Sequence, residues 1–369
     1  MLFRSSLQSG RKHQAKGMPA DESDWRPFLR GMRGRPSEAW WRANLNLSAY
    51  YSFHSLNRLF GNVDLREEAN HGFYHAPDGR WAPIPWDNDM MFIPHSHQSG
   101  VTLANRCLES PRLNREFKNR AREILDLFAS DPAPNGGQFA QLVAEYARIL
   151  CPPGETRTWP ELDMAVWNYH PRSHARGVFY LNPYTMGWTG VPFRRVLATP
   201  DFAGFCRYIV GFCTDSRPVK NYRPDDNNPV GHGWGHLDWE ARDAAIPERP
   251  VVQGQGQGTS IKNGWAFRVT PFASPLRGVS FAAIQWRAAR IAAPGLAGYR
   301  AGEPWVSELT PVWESPEIAD ATPEFSLPAE VCQPGQTYRV RARYRDSQGR
   351  WSHWSAPVQF VSETVASRK

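Results

Sequence analysis

Apolar residues at Phe53, Leu56 and Phe60 recur at helical spacing and predict a helix over residues 47–60, with Ser48 as its N-cap and Gly61-Asn62 as its stop. A polar loop holding Asp64 and Asn70 follows, and the pattern then shortens to two strands over 72–76 and 81–86. Pro77-Asp78-Gly79 between them predicts a turn. Pro presets φ, Asp bonds its own backbone and Gly takes positive φ. The second strand delivers Asp87 and Asp89.

Ser110-Pro111 opens a further helix, with N-cap and Pro at the first helical position and a stripe of Leu113, Phe117, Ala121, Ile124, Leu125 and Phe128. Phe139, Leu142, Val143, Tyr146 and Leu150 mark another, stopped by Pro152-Pro153. Helices are also predicted over 158–169 and from Thr199-Pro200 to about Cys213. From about Arg249 the period turns to two. Strands are predicted over 281–291, 311–315, 323–327, 337–345 and 352–360, with turns at Gln333-Pro-Gly335 and Asp346-Ser-Gln-Gly349. Short strands at this density predict a β-sandwich over 249–362. In Tyr338-Arg-Val-Arg-Ala-Arg-Tyr-Arg345, the alternation sends Tyr338, Val340, Ala342 and Tyr344 to one face and Arg339, Arg341, Arg343 and Arg345 to the other.

The fold class expected is α+β. Its parts are a tail at 1–24, a mainly helical part at 25–215, a Pro/Gly/Asn-rich linker at 216–248, the sandwich at 249–362 and a tail at 363–369. With 369 residues and 41% hydrophobic content, the chain has room for such domains and is not globally disordered. The net charge of +7 comes from arginines spread along the chain, which argues against a nucleic-acid partner. No stretch reaches the length of a membrane span, and the N-terminus has no apolar core of a secretory signal. The five cysteines lack metal spacing. Cys206 and Cys213, seven apart on one helical face, read as buried thiols. His95 and His97 alternate as on a strand and are read as loop polars. The two glycines of His232-Gly-Trp-Gly-His236 argue against a helix there, and so against a histidine pair one turn apart.

Helix, acid-and-amide loop, hairpin, second acid is the order that phosphoryl transfer uses. One Asp accepts the nucleophile's proton, an Asn nearby holds a metal, and an Asp after the hairpin holds the metals that neutralise the phosphates. Asn70 follows Asp64 by six residues, and Asp87 follows it by 23. Taken singly, each of these is more often a solvated loop polar or a turn cap; the ordered set is what points to chemistry.

The runs Asn70-His-Gly-Phe-Tyr-His-Ala-Pro-Asp-Gly-Arg-Trp81 and Ile84-Pro-Trp-Asp-Asn-Asp-Met-Met-Phe92 resemble the spore coat protein H (CotH) kinase family. The resemblance covers roughly residues 36–215. It implies an atypical protein kinase that uses ATP and Mg²⁺ or Mn²⁺ to phosphorylate protein Ser/Thr. By position, Asp64 is similar to the catalytic Asp, Asn70 and Asp87 to the metal-holding Asn and Asp, and Asp89 to the motif's second acid. Trp351-Ser-His-Trp-Ser355 resembles the Trp-Ser-x-Trp-Ser box of fibronectin type III domains, which implies a cation–π ladder with the four arginines.

A protein kinase also needs a strand-rich lobe with a Lys that grips the nucleotide. None is legible before the first helix, so the N-lobe is expected to be missing. The reading is then the C-lobe part of a CotH-type kinase, from a truncated frame or a larger protein, with weak metal binding and negligible transfer on its own. The family implies export as part of a longer protein. A non-catalytic extracellular module binding protein or glycan, and a metal-dependent hydrolase using Asp64, Asp87 and Asp89, are the alternatives.

Overall fold

The computed structural model describes residues 19, 21–62, 64–65, 70–88, 91–92, 101–129, 137–167, 202–216, 232–254 and 264–362. The expected C-terminal tail, residues 1–18 and 20 of the N-terminal one, Asp89, His95, His97 and the Thr199-Pro200 helix start lie outside the described residues. The fold is α+β, with helices and antiparallel sheets. It divides into two compact units. The first takes Met1–Ile124 and Leu150–Ala241; the second takes Leu125–Ile149 and Arg242–Lys369.

In the first unit, helix α1 (Trp25–Arg33) buries Trp25, Phe28, Leu29 and Met32, one stripe at helical spacing. Helix α2 (Glu38–Asn44) starts at Ser37, whose side chain accepts from Trp40 N at 3.2 Å. Helix α3 (Leu47–Leu59) is capped by Asn46, whose side chain accepts from Ala49 N at 3.1 Å; the expected cap at Ser48 lies inside the helix. The hairpin follows as β1 (His71–His75) and β2 (Trp81–Pro85), in the register His71↔Pro85 to His75↔Trp81. Its turn forms as the residues predict: Gly79 takes φ 82°, and Asp78 accepts from Arg80 N at 3.0 Å.

Trp81 anchors the hairpin. It is buried, packs on Trp25 and Phe28, and stacks on His75 at 4.3 Å, while its carbonyl accepts from Asn46 N at 2.8 Å. Loss of such a ring costs about 3–5 kcal/mol. Helices α4 (Thr102–Asn105) and α5 (Pro111–Ile124) follow, and Ser110 caps α5 as expected. A second helix, α6 (Gln138–Leu150), belongs almost wholly to the other unit. Helices α7 (Trp159–Trp167), α8 (Phe202–Thr214) and α9 (His232–Ala241) also belong to the first unit.

Helix α9 corrects two expectations: it lies inside the expected linker, and two glycines do not prevent it. A Cβ at Gly233 would sit 1.9 Å from the carbonyl oxygen of Leu59, so this glycine permits close packing of α9 on α3. Cys213 is buried, with its thiol donating to that carbonyl at 3.5 Å, while Cys206 is half-buried.

The second unit holds two antiparallel sheets. One has the order β3 (Val252–Gly254), β4 (Gly264–Val269), β7 (Glu324–Pro328). The other has β6 (Trp313–Glu314), β5 (Phe281–Ile291), β8 (Thr337–Asp346), β9 (Val358–Val361). Both line one core: Val252, Phe267 and Leu327 meet Ile284, Trp286, Tyr338, Val340, Ala342 and Tyr344. The alternation along β8 therefore holds.

On the outer face of β8 the arginines split. Arg343 lies 4.4 Å from the ring centres of both Trp351 and Trp354, and Arg345 lies 5.7 Å from that of Trp351. Arg339 and Arg341 are not in the ladder. They are buried and pair with Glu308, Arg341 at 2.6 Å and Arg339 at 3.4 Å. In their place Arg287 of β5 reaches Trp354 at 5.6 Å. The serines of the Trp-Ser-x-Trp-Ser run satisfy the edge of β8. Ser352 and Ser355 accept through Oγ from Tyr344 N and Ala342 N, and donate their own N–H groups to the carbonyls of Tyr344 and Ala342. Asp126, on the π-helical turn Leu125–Ala129, accepts from His353 Nδ1 at 2.9 Å and Trp354 N at 2.8 Å.

Candidate functional site

The site is built on the C-terminus of α3. Gly61 takes φ 58°, its N–H donates to Arg58 O at 3.2 Å, and Asn62 N donates to Asn57 O at 3.0 Å. Those two bonds close the helix as a Schellman motif. They also place the Asn62 side chain where the loop departs. Asn62 is buried; its Oδ1 accepts from Asp64 N at 3.1 Å and its Nδ2 donates to Asn57 Oδ1 at 3.0 Å. The Asn57 amide is itself fixed by donating to Phe53 O at 2.8 Å.

Asp64 is half-buried and Leu65 beside it is buried. Asn70, at the mouth of β1, is 8% exposed and takes φ 65°. The left-handed region costs most residues about 1–2 kcal/mol, and Asn and Asp are the side chains that tolerate it. The conformation turns the Asn70 amide back onto the loop. Its Nδ2 donates to Asp64 Oδ2 at 2.7 Å and to Asp64 O at 2.9 Å. The sequence-predicted acid and amide are thus joined directly.

The register His71↔Pro85 puts the residues after Pro85 at the same end of the hairpin as Asn70. Asp87 is exposed there and takes φ 55°, a second left-handed polar residue. Its neighbour Asn88 accepts through Oδ1 from Asn62 Nδ2 at 3.4 Å. Beyond it, Phe92 N donates to Phe60 O at 2.5 Å and Phe92 O accepts from Tyr208 at 2.7 Å, so the chain returns to the end of α3. Asn57, Asn62 and Asn88 were missed by sequence reasoning. The signal was the pair Gly61-Asn62, read only as a helix stop.

The oxygens on offer, carboxylate and amide, are hard donors of the kind that suit Mg²⁺ and Mn²⁺. Among the described residues no three His, Cys, Asp or Glu side chains come together as a metal cluster, and Asp89 lies outside them. Behind α3, His54 Nε2 meets Glu240 Oε2 at 3.1 Å, and Arg58 pairs with the same carboxylate at 2.8 Å. Burial pushes the Glu240 carboxyl up, but the His54 hydrogen bond and the charges of His54, Arg58 and His236 outweigh it and hold it below the ordinary glutamate value. His236, buried on α9, belongs to this structural group.

No helix among the described residues is long and apolar enough to cross a membrane. No curated protein matches the chain. One solved structure that it is similar to in part is an alpha-L-rhamnosidase of Streptomyces avermitilis complexed with L-rhamnose. The match has 22% identity and a TM-score of 0.21, and covers 32% of this chain and 10% of that one. A likeness of that depth defines neither fold nor ligand. Residues 11–135 match the family model described as CotH kinase protein, a stretch that contains Asp64, Asn70, the hairpin and Asp87.

Proposed function

We propose that the chain carries the metal and hydroxyl-orienting part of a CotH-type atypical protein kinase. Asp64 orients a protein Ser/Thr hydroxyl and takes its proton. Asp87, Asn70 through Oδ1, and Asp89 hold Mg²⁺ or Mn²⁺, which when bound neutralises the phosphates of ATP. The observation that carries the reading is the 2.7 Å bond from Asn70 Nδ2 to Asp64 Oδ2, made by a buried left-handed residue at the mouth of the hairpin that delivers Asp87. The described residues before the hairpin form helices α1 to α3. We keep the expectation of weak metal binding and little phosphate transfer by residues 1–369 on their own. The strand order of the second unit and its Trp-Ser-x-Trp-Ser run further support a fibronectin type III-like sandwich over 249–362, and with it an exported setting.

The test is titration of the chain with Mn²⁺, followed by incubation with labelled ATP, Mn²⁺ and a general protein substrate. Mn²⁺ binding that Asp87→Asn removes, with little label transferred, is the expected result. Mn²⁺ binding unchanged in both Asp87→Asn and Asp64→Asn overturns the site. Robust transfer that Asp87→Asn abolishes overturns the expected inactivity of the chain alone.

A further inference from the structure

We propose that Asn62 is a positioning residue that ties the Asp64 loop and the Asp87 loop to one fixed point, the end of α3. This role rests on the metal-site reading above. The Asn62 amide makes three directed bonds: its oxygen takes the backbone N–H of Asp64, and its nitrogen reaches Asn57 Oδ1 on the helix and Asn88 Oδ1 beside Asp87. Each partner comes from a different segment. The amide is 3% exposed, so water does not substitute for these bonds. Its own backbone is fixed by the Schellman closure to Asn57 O.

Both acids follow this point along the chain, one two residues later and the other after the whole hairpin. The bond from Asp64 N to Asn62 and the Asn70 amide set the first. Strand pairing does not set the second, because Asp87 stands beyond the last residue of β2. The Asn62–Asn88 bond joins the Asp87 loop to the Asp64 loop beside the acid itself, while the Phe92 bonds to Phe60 O and Tyr208 tether the chain further on. Metal affinity depends on such supporting bonds: losing one typically costs about 10–100-fold.

Full-length wild type, Asn62→Ala and Asn88→Ala are titrated with Mn²⁺ alone, and their melting temperatures are measured alongside. Asn88 is exposed, so Asn88→Ala removes the link without opening the core. The expected result is weaker Mn²⁺ binding by about tenfold or more in both variants, with the melting temperature of Asn88→Ala unchanged. Wild-type binding that both variants retain overturns the positioning role and leaves the metal site standing. A lower melting temperature in Asn62→Ala with unchanged affinity in both also overturns it, since that is what a purely structural amide gives. Should Asn62→Ala fail to fold, Asn88→Ala decides alone. Absence of Mn²⁺ binding by the wild type overturns the metal reading and this role with it.

Discussion

At Asp64 the bonded neighbours described are amides and a backbone N–H; at Glu308 they are two guanidinium groups. Both acids sit in polar settings that the chain builds with care. At Glu308 the Arg341 fork closes on the carboxylate with bonds of 2.9 and 2.6 Å, and Arg339 adds a third. The group is buried and its charge is matched inside the unit. At Asp64 the supports described are the short neutral amides of Asn62 and Asn70, and Asn70 and Asp87 take left-handed backbone. The proposed cation site is built on amides that orient an acid; the Glu308 layer is built on guanidinium groups that neutralise one.

The comparison breaks most readily at Glu308. Glu308→Gln leaves Arg339 and Arg341 buried without their counter-charge, and is expected to destabilise the second unit by about 3–5 kcal/mol in denaturant unfolding. The same group predicts a pH dependence. Burial pushes its carboxyl up, but the Arg341 hydrogen bond and the charges of Arg341, Arg339 and Arg287 hold it below its ordinary value of 4.5. A depressed folded value means stability fully present above that ordinary value and lost as pH falls through the folded one. Acid unfolding of the second unit should therefore steepen below about pH 4.5, and Glu308→Gln should flatten it. A flat wild-type profile there shows that the layer is not held by this charge.

A middle-sized effect is expected at Gly233, where the first unit depends on close packing rather than charge. Gly233→Ala forces a Cβ against Leu59 O and Phe212, and should cost about 1–3 kcal/mol. An unchanged melting temperature would show that α9 shifts freely on α3. The smallest effect on stability is expected at Asp87. Because it is exposed, Asp87→Asn should change stability by no more than about 0.5 kcal/mol, yet remove Mn²⁺ binding. A large loss of stability would place Asp87 with Glu308 as a structural acid and erase the contrast.

Local chemistry made much of this legible in advance. Pro77-Asp78-Gly79 specifies its turn, Ser110-Pro111 its helix start and Gly61 its helix stop, because each acts within a few residues of backbone. The alternation along β8 told which side chains enter the core. What failed were inferences about glycine and arginine. Gly233 looks like a helix breaker in sequence and proves to be a packing contact, since only the neighbouring Leu59 carbonyl reveals why a Cβ is excluded there.

The sequence by itself determined most of the elements, though neither α9 nor the short extent of β9 (Val358–Val361, where a strand over 352–360 is expected), together with the faces of β8 and the order Asp64, Asn70, Asp87, because propensity, capping and period are short-range. Tertiary structure alone decided the partners. Glu308 reaches Arg341 across 33 positions and Asp126 reaches Trp354 across 228, which no periodicity encodes. The same holds for Asn62, whose amide meets Asn88 across 26 positions. A polar side chain in sequence carries only its capacity to bond. Which group answers it, a guanidinium that silences the charge or an amide that aims it, is settled when distant segments are brought to within hydrogen-bonding reach.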